Sequence, residues 1–201
     1  MKEELTIRLN KTKVPNSKTI IQIENLCFSY DKKNKLIDNF NMNLSGPARI
    51  AVTGCNGCGK STLIQLIRGL LQPDYGSIYI GLENMAYLDQ FNDFLDSSAT
   101  LVENFLRLNS SSKIHHAYNA LASFKFRSED AEKNVGQLSD GEKMRAALAI
   151  TLMSPNVPQL IILDEPTNHL DLETVKAIEQ ALSLYHGAIL AVSHDQQFLE
   201  N

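Results

Sequence analysis

The sequence predicts an α/β fold in which a parallel-sheet core carries an antiparallel β subdomain at its side and an inserted α-helical subdomain. Three observations predict it. A glycine-rich stretch, GCNGCGKST from Gly54 to Thr62, stands between an apolar strand, ARIAV, and an amphipathic helix, KSTLIQLIRGLL. A second apolar run, LIIL from Leu160 to Leu163, has the unbroken character of a strand buried on both faces, and it ends on Asp164 and Glu165. From about Asn92 to Ser154 the apolar residues recur at helical spacing, whereas several segments before Asn92 are short and strand-like.

Taken in order, residues 1–19 scatter Lys2, Arg8, Lys11, Lys13 and Lys18 among polar residues and Pro15 without periodicity, and so read as a linker. IIQIENLCFSY, from Ile20, alternates as a half-buried strand and ends on Tyr30 ahead of the polar turn DKKNK. FNMNLS, Phe40 to Ser45, supplies a partner strand, and SGP turns the chain into ARIAV. Beyond the helix, QPDYGS is dense in turn residues and precedes two short strands, SIYIG and NMAYLDQ; short strands with close turns imply an antiparallel layer. LVENFLRL and KIHHAYNALASFKF follow as helices separated by SSS at 110–112. His115 and His116 are adjacent rather than four apart, so they do not share a helix face and read as solvated. In LSDGEKMRAALAITLMS, Ser139 and Asp140 are candidate caps, and Met144, Ala147, Leu148, Thr151 and Leu152 fall on one side. After the carboxylates, a helix from Leu172 with Val175, Ile178 and Leu182 on one face leads to the strand AILAV, which presents Ser193, His194 and Asp195 at its end.

The glycine-rich stretch fills every fixed position of the phosphate-binding pattern G-x-x-x-x-G-K-[ST]: Gly54, Gly59, Lys60 and Ser61. Glycines at Gly54, Gly57 and Gly59 let backbone N–H groups approach phosphate oxygens where a Cβ would intrude. Lys60 is placed to reach the β- and γ-phosphates, Ser61 to offer a Mg²⁺ ligand, and the following helix to point its positive end at the same anion. Asn56, Cys58 and Thr62 complete the set expected to meet nucleotide. At the carboxyl end of its strand, Asp164 is placed to hold Mg²⁺ and Glu165 to orient an attacking water.

Composition narrows the function class. The 201 residues carry 19 Lys+Arg against 23 Asp+Glu, a net charge of −4 that gives no support to a basic nucleic-acid surface. No apolar run reaches the length of a membrane span, and MKEELTIRLN lacks the apolar core of a signal peptide, so a soluble cytoplasmic protein is expected. Cys27, Cys55 and Cys58 are too few for a disulfide framework. The C-x-x-C pair occupies variable positions of the phosphate loop, with no second Cys/His pair at zinc spacing, and reads as reduced thiols.

Together these motifs resemble, over about residues 20–201 and in the same order, the ATP-binding cassette (ABC) ATPases. GCNGCGKST resembles the Walker A loop, Gln90 in YLDQ the Q-loop, LSDGE the signature, LIILDEPTNHLD the Walker B strand with its catalytic glutamate and D-loop, and SHD the switch histidine. The resemblance implies the ABC form of the P-loop NTPase fold, with a helical subdomain inserted at about 92–154, and ATP and Mg²⁺ as ligands. It implies that Tyr30 stacks on adenine, that Gln90 senses Mg²⁺ and the attacking water, and that His194 contacts the γ-phosphate. Ser139 and Gly141 would approach the nucleotide of a second cassette in a head-to-tail pair. EPTNHLD and SHDQQFLEN look most like the ABC-F class, whose members hold two cassettes on one chain and act on the ribosome as translation factors or antibiotic-resistance proteins. With one set of motifs, a linker-like start and an end at Asn201 soon after the histidine, the chain resembles the second cassette of such a protein, shortened at its C-terminus. The transporter nucleotide-binding subunits share every catalytic motif and are the alternative; an ATP-dependent dimerisation module with little hydrolysis is another. The signature departs from the family pattern at Asp140, where glycine is common, and a carboxylate beside a phosphate is electrostatically unfavourable.

Overall fold

The computed structural model describes residues 9, 12, 14–89, 91–168 and 170–200, with the backbone alone for Gln196 and Glu200. Most of the expected linker, and Gln90, lie outside the described residues.

Two sheets organise the chain. Strands β1 (Thr19–Phe28), β2 (Ile37–Ser45) and β4 (Tyr75–Ile80) form an antiparallel sheet in the order β2-β1-β4, while β3 (Arg49–Val52), β5 (Met85–Asp89), β6 (Leu160–Asp164) and β7 (Ala188–Val192) form a parallel sheet in the order β3-β7-β6-β5. The two short strands expected together after the first helix therefore separate: β4 joins the antiparallel layer and β5 the parallel core. Leu88 of β5 is buried against the core, whereas Tyr75 and Tyr79 of β4 stand exposed, so burial distinguishes two strands of similar length.

The two central parallel strands, β6 and β7, are buried on both faces, which is why they lack polar alternation. Leu160 and Ile162, with Ala188, Leu190 and Val192, face a cluster built from β1 and from α1 (Lys60–Ile67). Ile161 and Leu163, with Ile189 and Ala191, face a second cluster. That second cluster is supplied by α2 (Leu101–Leu108), α3 (Ile114–Ser123), α4 (Asp140–Leu152) and α5 (Leu172–Ser183), with α6 (Gln196–Glu200) beside β7. Among the described residues the regular elements between β5 and β6 are helices, with short 3₁₀ turns at Ser128–Glu132 and Val135–Gln137, and their core is continuous with the sheet.

The single apolar stripe expected along α4 is not what forms. Met144 and the whole run Ala146 to Leu152 are buried, because α4 is enclosed by α2, α3, α5 and β5. Its small alanines allow that close approach, and they also blur the helical period in the sequence. Of the two candidate caps, Ser139 is the N-cap: its Oγ accepts from the Glu142 N–H, and the Glu142 carboxylate accepts from the Ser139 N–H at 2.9 Å. Asp140 is instead the first helical residue and pairs with Lys143 at 3.2 Å.

Register brings the chemistry to one edge. Val52 lies beside Val192, Val192 beside Asp164, and Asp164 beside Asp89, so all four parallel strands end along one line. In an open α/β sheet the crevice beyond that line is where ligands bind.

Candidate functional site

A cleft of about 530 Å³ opens beyond this line. Its walls bring together Tyr30, Asn56, Gly57, Gly59, Lys60, Ser61, Thr62, Asp164, Glu165 and His194, all singled out from the sequence, with Leu36 and Asn168, which were not. Asn168 follows the two carboxylates in the polar EPTNHLD stretch, and Leu36 closes the turn after β1.

The loop is shaped by its glycines. Gly57 takes φ +79° with open space where a Cβ would be, so its need is conformational. Gly59 is the N-cap of α1 at φ +102°, and a Cβ there would crowd the Leu36 side chain at 3.3 Å. α1 and α3 both lack a side chain bonded to the N-terminus and an acidic residue in the first turn, unlike α2, α4 and α5, and of the two it is α1 whose first turn lines the cleft. Its first-turn N–H groups are thus left to the cleft, where an anion satisfies them.

Lys60 Nζ now donates to the carbonyls of Gly54 (2.8 Å) and Cys55 (3.1 Å), so the ammonium is held over the loop. Gly54 and Cys58 do not line the cleft. Cys58 instead faces a hollow on the other side of the loop with Asp38, Phe40 and Thr53, and its N–H closes a turn onto the Cys55 carbonyl at 3.3 Å. At the opposite rim, the Tyr30 hydroxyl lies 3.1 Å from Thr62 Oγ1, and its ring meets Phe28 edge-on at 4.9 Å.

Across from the loop, burial pushes the Asp164 carboxyl above its ordinary range, and Asp89 adds to the shift, while a hydrogen bond from Tyr87 opposes it. The Tyr87 hydroxyl donates to Asp164 Oδ2 at 3.0 Å, and burial raises the phenol above its usual value, so it keeps its proton. Tyr87 gave no signal in the sequence beyond strand propensity; only the register, which pairs it with Ile162 two residues before Asp164, brings it there. Glu165 sits at φ +50°, a strained conformation for a residue with a side chain, held by its N–H bonded to the Val192 carbonyl at 2.8 Å. This bend turns its carboxylate toward His194, whose Nε2 lies 3.3 Å from Oε1 and whose N–H donates to Oε2 at 3.4 Å.

Ser61 and Asp164 face the same cleft with a hydroxyl and a carboxylate, hard oxygen donors of the kind Mg²⁺ takes. The uncapped helix and the lysine fit a phosphate chain. Ser139 and Gly141 lie elsewhere. Ser139 borders a separate polar hollow with Lys125, Glu142, Arg145 and Asp171, and a Cβ on Gly141 would press on Thr174 of α5 at 3.1 Å. The structure therefore does not bring the signature residues to this chain's own cleft. Among the described residues no cluster of three metal-ligating side chains forms, and no helix is long and apolar enough to cross a membrane.

Fold and cleft together define a P-loop nucleotide-binding protein. Residues 37–168 match the family model described as ABC transporter. The chain is 37% identical over 191 residues to the ATP-binding protein Uup of Escherichia coli (strain K12), covering 92% of the chain and 30% of Uup. It is 37% identical over 188 residues to the energy-dependent translational throttle protein EttA of the same strain, covering 90% of the chain and 33% of EttA. Among solved structures, cbiO1 of Clostridium perfringens, part of the ABC transporter complex cbiONQ, superposes with a TM-score of 0.72 at 27% identity, covering 89% of this chain and 80% of that one. The chain belongs to the ABC family of ATPases, and its relatives Uup and EttA are of the ABC-F class. It spans about a third of the length of these curated relatives.

Proposed function

We propose that this chain is the ATP-binding and ATP-hydrolysing cassette of an ABC-F type protein that acts on the ribosome, in translation or in antibiotic protection. The observation that carries the reading is the single cleft in which the uncapped α1 N-terminus and Lys60 face Asp164, Glu165 and His194. Likeness to a protein named for throttling translation supports the ribosomal part.

In this proposal Lys60 leaves the Gly54 and Cys55 carbonyls for the β- and γ-phosphates, and the N–H groups of the loop and first turn take the remaining phosphate oxygens. Asn56, Gly57, Gly59 and Thr62 line that path, with Gly54 and Cys58 contributing backbone, while Tyr30 covers the adenine. Ser61 and Asp164, joined by Gln90, would hold Mg²⁺, which when bound neutralises charge on the transferring phosphoryl group. Glu165 orients a water for in-line attack, and His194 steadies Glu165 and contacts the γ-phosphate. Ser139 and Gly141, turned away from this cleft, would cover the nucleotide of a second cassette. Residues 1–19 would be the end of an inter-cassette linker, and 20–201 the cassette itself, with its helical subdomain at about 92–154.

Asp140 favours a second reading, a module that binds ATP and pairs but hydrolyses little. Its carboxylate stands 63% exposed at the first turn of α4, where a partner's phosphate would arrive, and Lys143 offsets it only in part.

The test uses the full-length protein carrying this sequence with Glu165→Gln, sedimented separately with ribosomes and with membrane vesicles, with and without Mg-ATP. ATP-dependent travel with ribosomes supports the proposal. Travel with membranes and none with ribosomes would reject it in favour of a transporter subunit.

A further inference from the structure

We propose that Tyr87 is a positioning residue for the Mg²⁺ site: its hydroxyl holds Asp164 Oδ2 so that Oδ1 is presented to the metal. This rests on the Mg-ATP reading of the cleft.

Tyr87 and Asp164 lie on the same face of the parallel sheet, one strand apart and offset by two residues, so the phenol reaches along the sheet to the carboxylate. The bond, 3.0 Å long, has one direction, because an ionised carboxylate only accepts. Asp89, paired directly with Asp164 in the register, is a second acidic side chain of the same strand end, and a fixed donor on Oδ2 counters its repulsion.

The tyrosine is itself clamped. The Arg68 guanidinium stands 3.8 Å from the centre of its ring. Arg68 is the C-cap of α1, the helix whose first turn carries Lys60 and Ser61. One helix thus joins two of the oxygen donors expected at the metal: Ser61 at its start, and Asp164 through Arg68 at its end, which holds Tyr87. The ring does not line the nucleotide cleft. It walls a separate hollow of about 600 Å³ with Arg68, Met85 and Phe94, which makes its role that of orienting a ligand rather than touching nucleotide.

Hydrogen-bond partners of metal ligands typically change metal affinity about 10-fold or more when removed. The experiment titrates Mg²⁺ against binding of a fluorescent ATP analogue to this chain, as wild type, Tyr87→Phe and Arg68→Ala, with a parallel titration of the analogue in EDTA. Tyr87→Phe should bind the analogue like wild type in EDTA, require about 10-fold more Mg²⁺ for half-maximal enhancement, and without nucleotide melt cooperatively and only a few degrees below wild type, as the loss of one hydrogen bond requires. Arg68→Ala should shift the Mg²⁺ requirement in the same direction by less. An unchanged Mg²⁺ requirement in Tyr87→Phe, or equal weakening in EDTA and in Mg²⁺, would overturn the inference while leaving the Mg-ATP reading in place. A wild type that shows no Mg²⁺-dependent binding at all would overturn both.

Discussion

Replacing Tyr30 with alanine should weaken ATP and GTP by the same factor. The ring lines the cleft beyond the loop, is 66% exposed, and meets Phe28 in a perpendicular contact at 4.9 Å, which leaves a face free for a base. Stacking of a base on an aromatic ring contributes about 1–3 kcal/mol and discriminates little between bases. At 1.4 kcal/mol per factor of ten, that is roughly a 5- to 150-fold loss of affinity. The hydroxyl also ties the ring to Thr62 Oγ1, a partly exposed bond whose net contribution is about 1 kcal/mol. Tyr30→Phe therefore separates the two effects: it keeps the stack, loses only the tether, and should weaken nucleotide by about fivefold or less. Neither change should move the melting temperature much, because the ring buries little surface. Isothermal titration of Mg-ATP and Mg-GTP into the three proteins checks this. Unchanged affinities in Tyr30→Ala, or a loss for ATP that spares GTP, would refute a stacking role for the ring.

Two other perturbations separate chemistry from folding. Glu165→Gln should retain Mg-ATP binding while lowering turnover about 100-fold or more, the usual worth of a positioned proton-accepting group, and steady-state phosphate release measures it; unchanged turnover would mean Glu165 does not drive hydrolysis here. Ser139→Ala should destabilise the chain by about 1 kcal/mol by uncapping α4, read by urea denaturation. The Glu142 carboxylate in the same cap is held below its ordinary value of 4.5, chiefly by the Ser139 N–H. A depressed carboxylate contributes stability that is complete above its unfolded value and is lost as pH falls through its folded one, so Glu142→Gln should narrow the gap between stability at pH 7 and at pH values below 4.5. A gap of the same size in wild type and variant would show that Glu142 does not carry it.

What the sequence made legible is what local pattern alone determines. The loop at Gly54 to Ser61, the run LIIL and the serine ahead of Glu142 each carry their physical reason within a few residues: backbone approach to an anion, burial on both faces, and a reciprocal cap. Strand registry was not legible. Tyr87 meets Asp164 only because β5 pairs parallel with β6, and nothing local distinguishes NMAYLDQ from SIYIG as a core strand. Enclosure of α4 was hidden for a related reason, since its alanines are compatible with an exposed face or a tightly packed one until neighbouring helices decide. Asn168 was passed over because its side chain faces the cleft through the turn after Glu165, whose positive φ depends on the bond to Val192.

The central claim, that this cleft takes Mg-ATP on the phosphate loop, is tested most directly by equilibrium binding of Mg-ATP to the chain with and without Lys60→Ala. The wild type should bind, and the variant should lose tight binding altogether, because charge-assisted bonds to phosphate contribute about 1.5–3 kcal/mol each and Lys60 is placed to make more than one. Full-strength binding by Lys60→Ala, in a protein that melts like wild type, would contradict the assignment of the site.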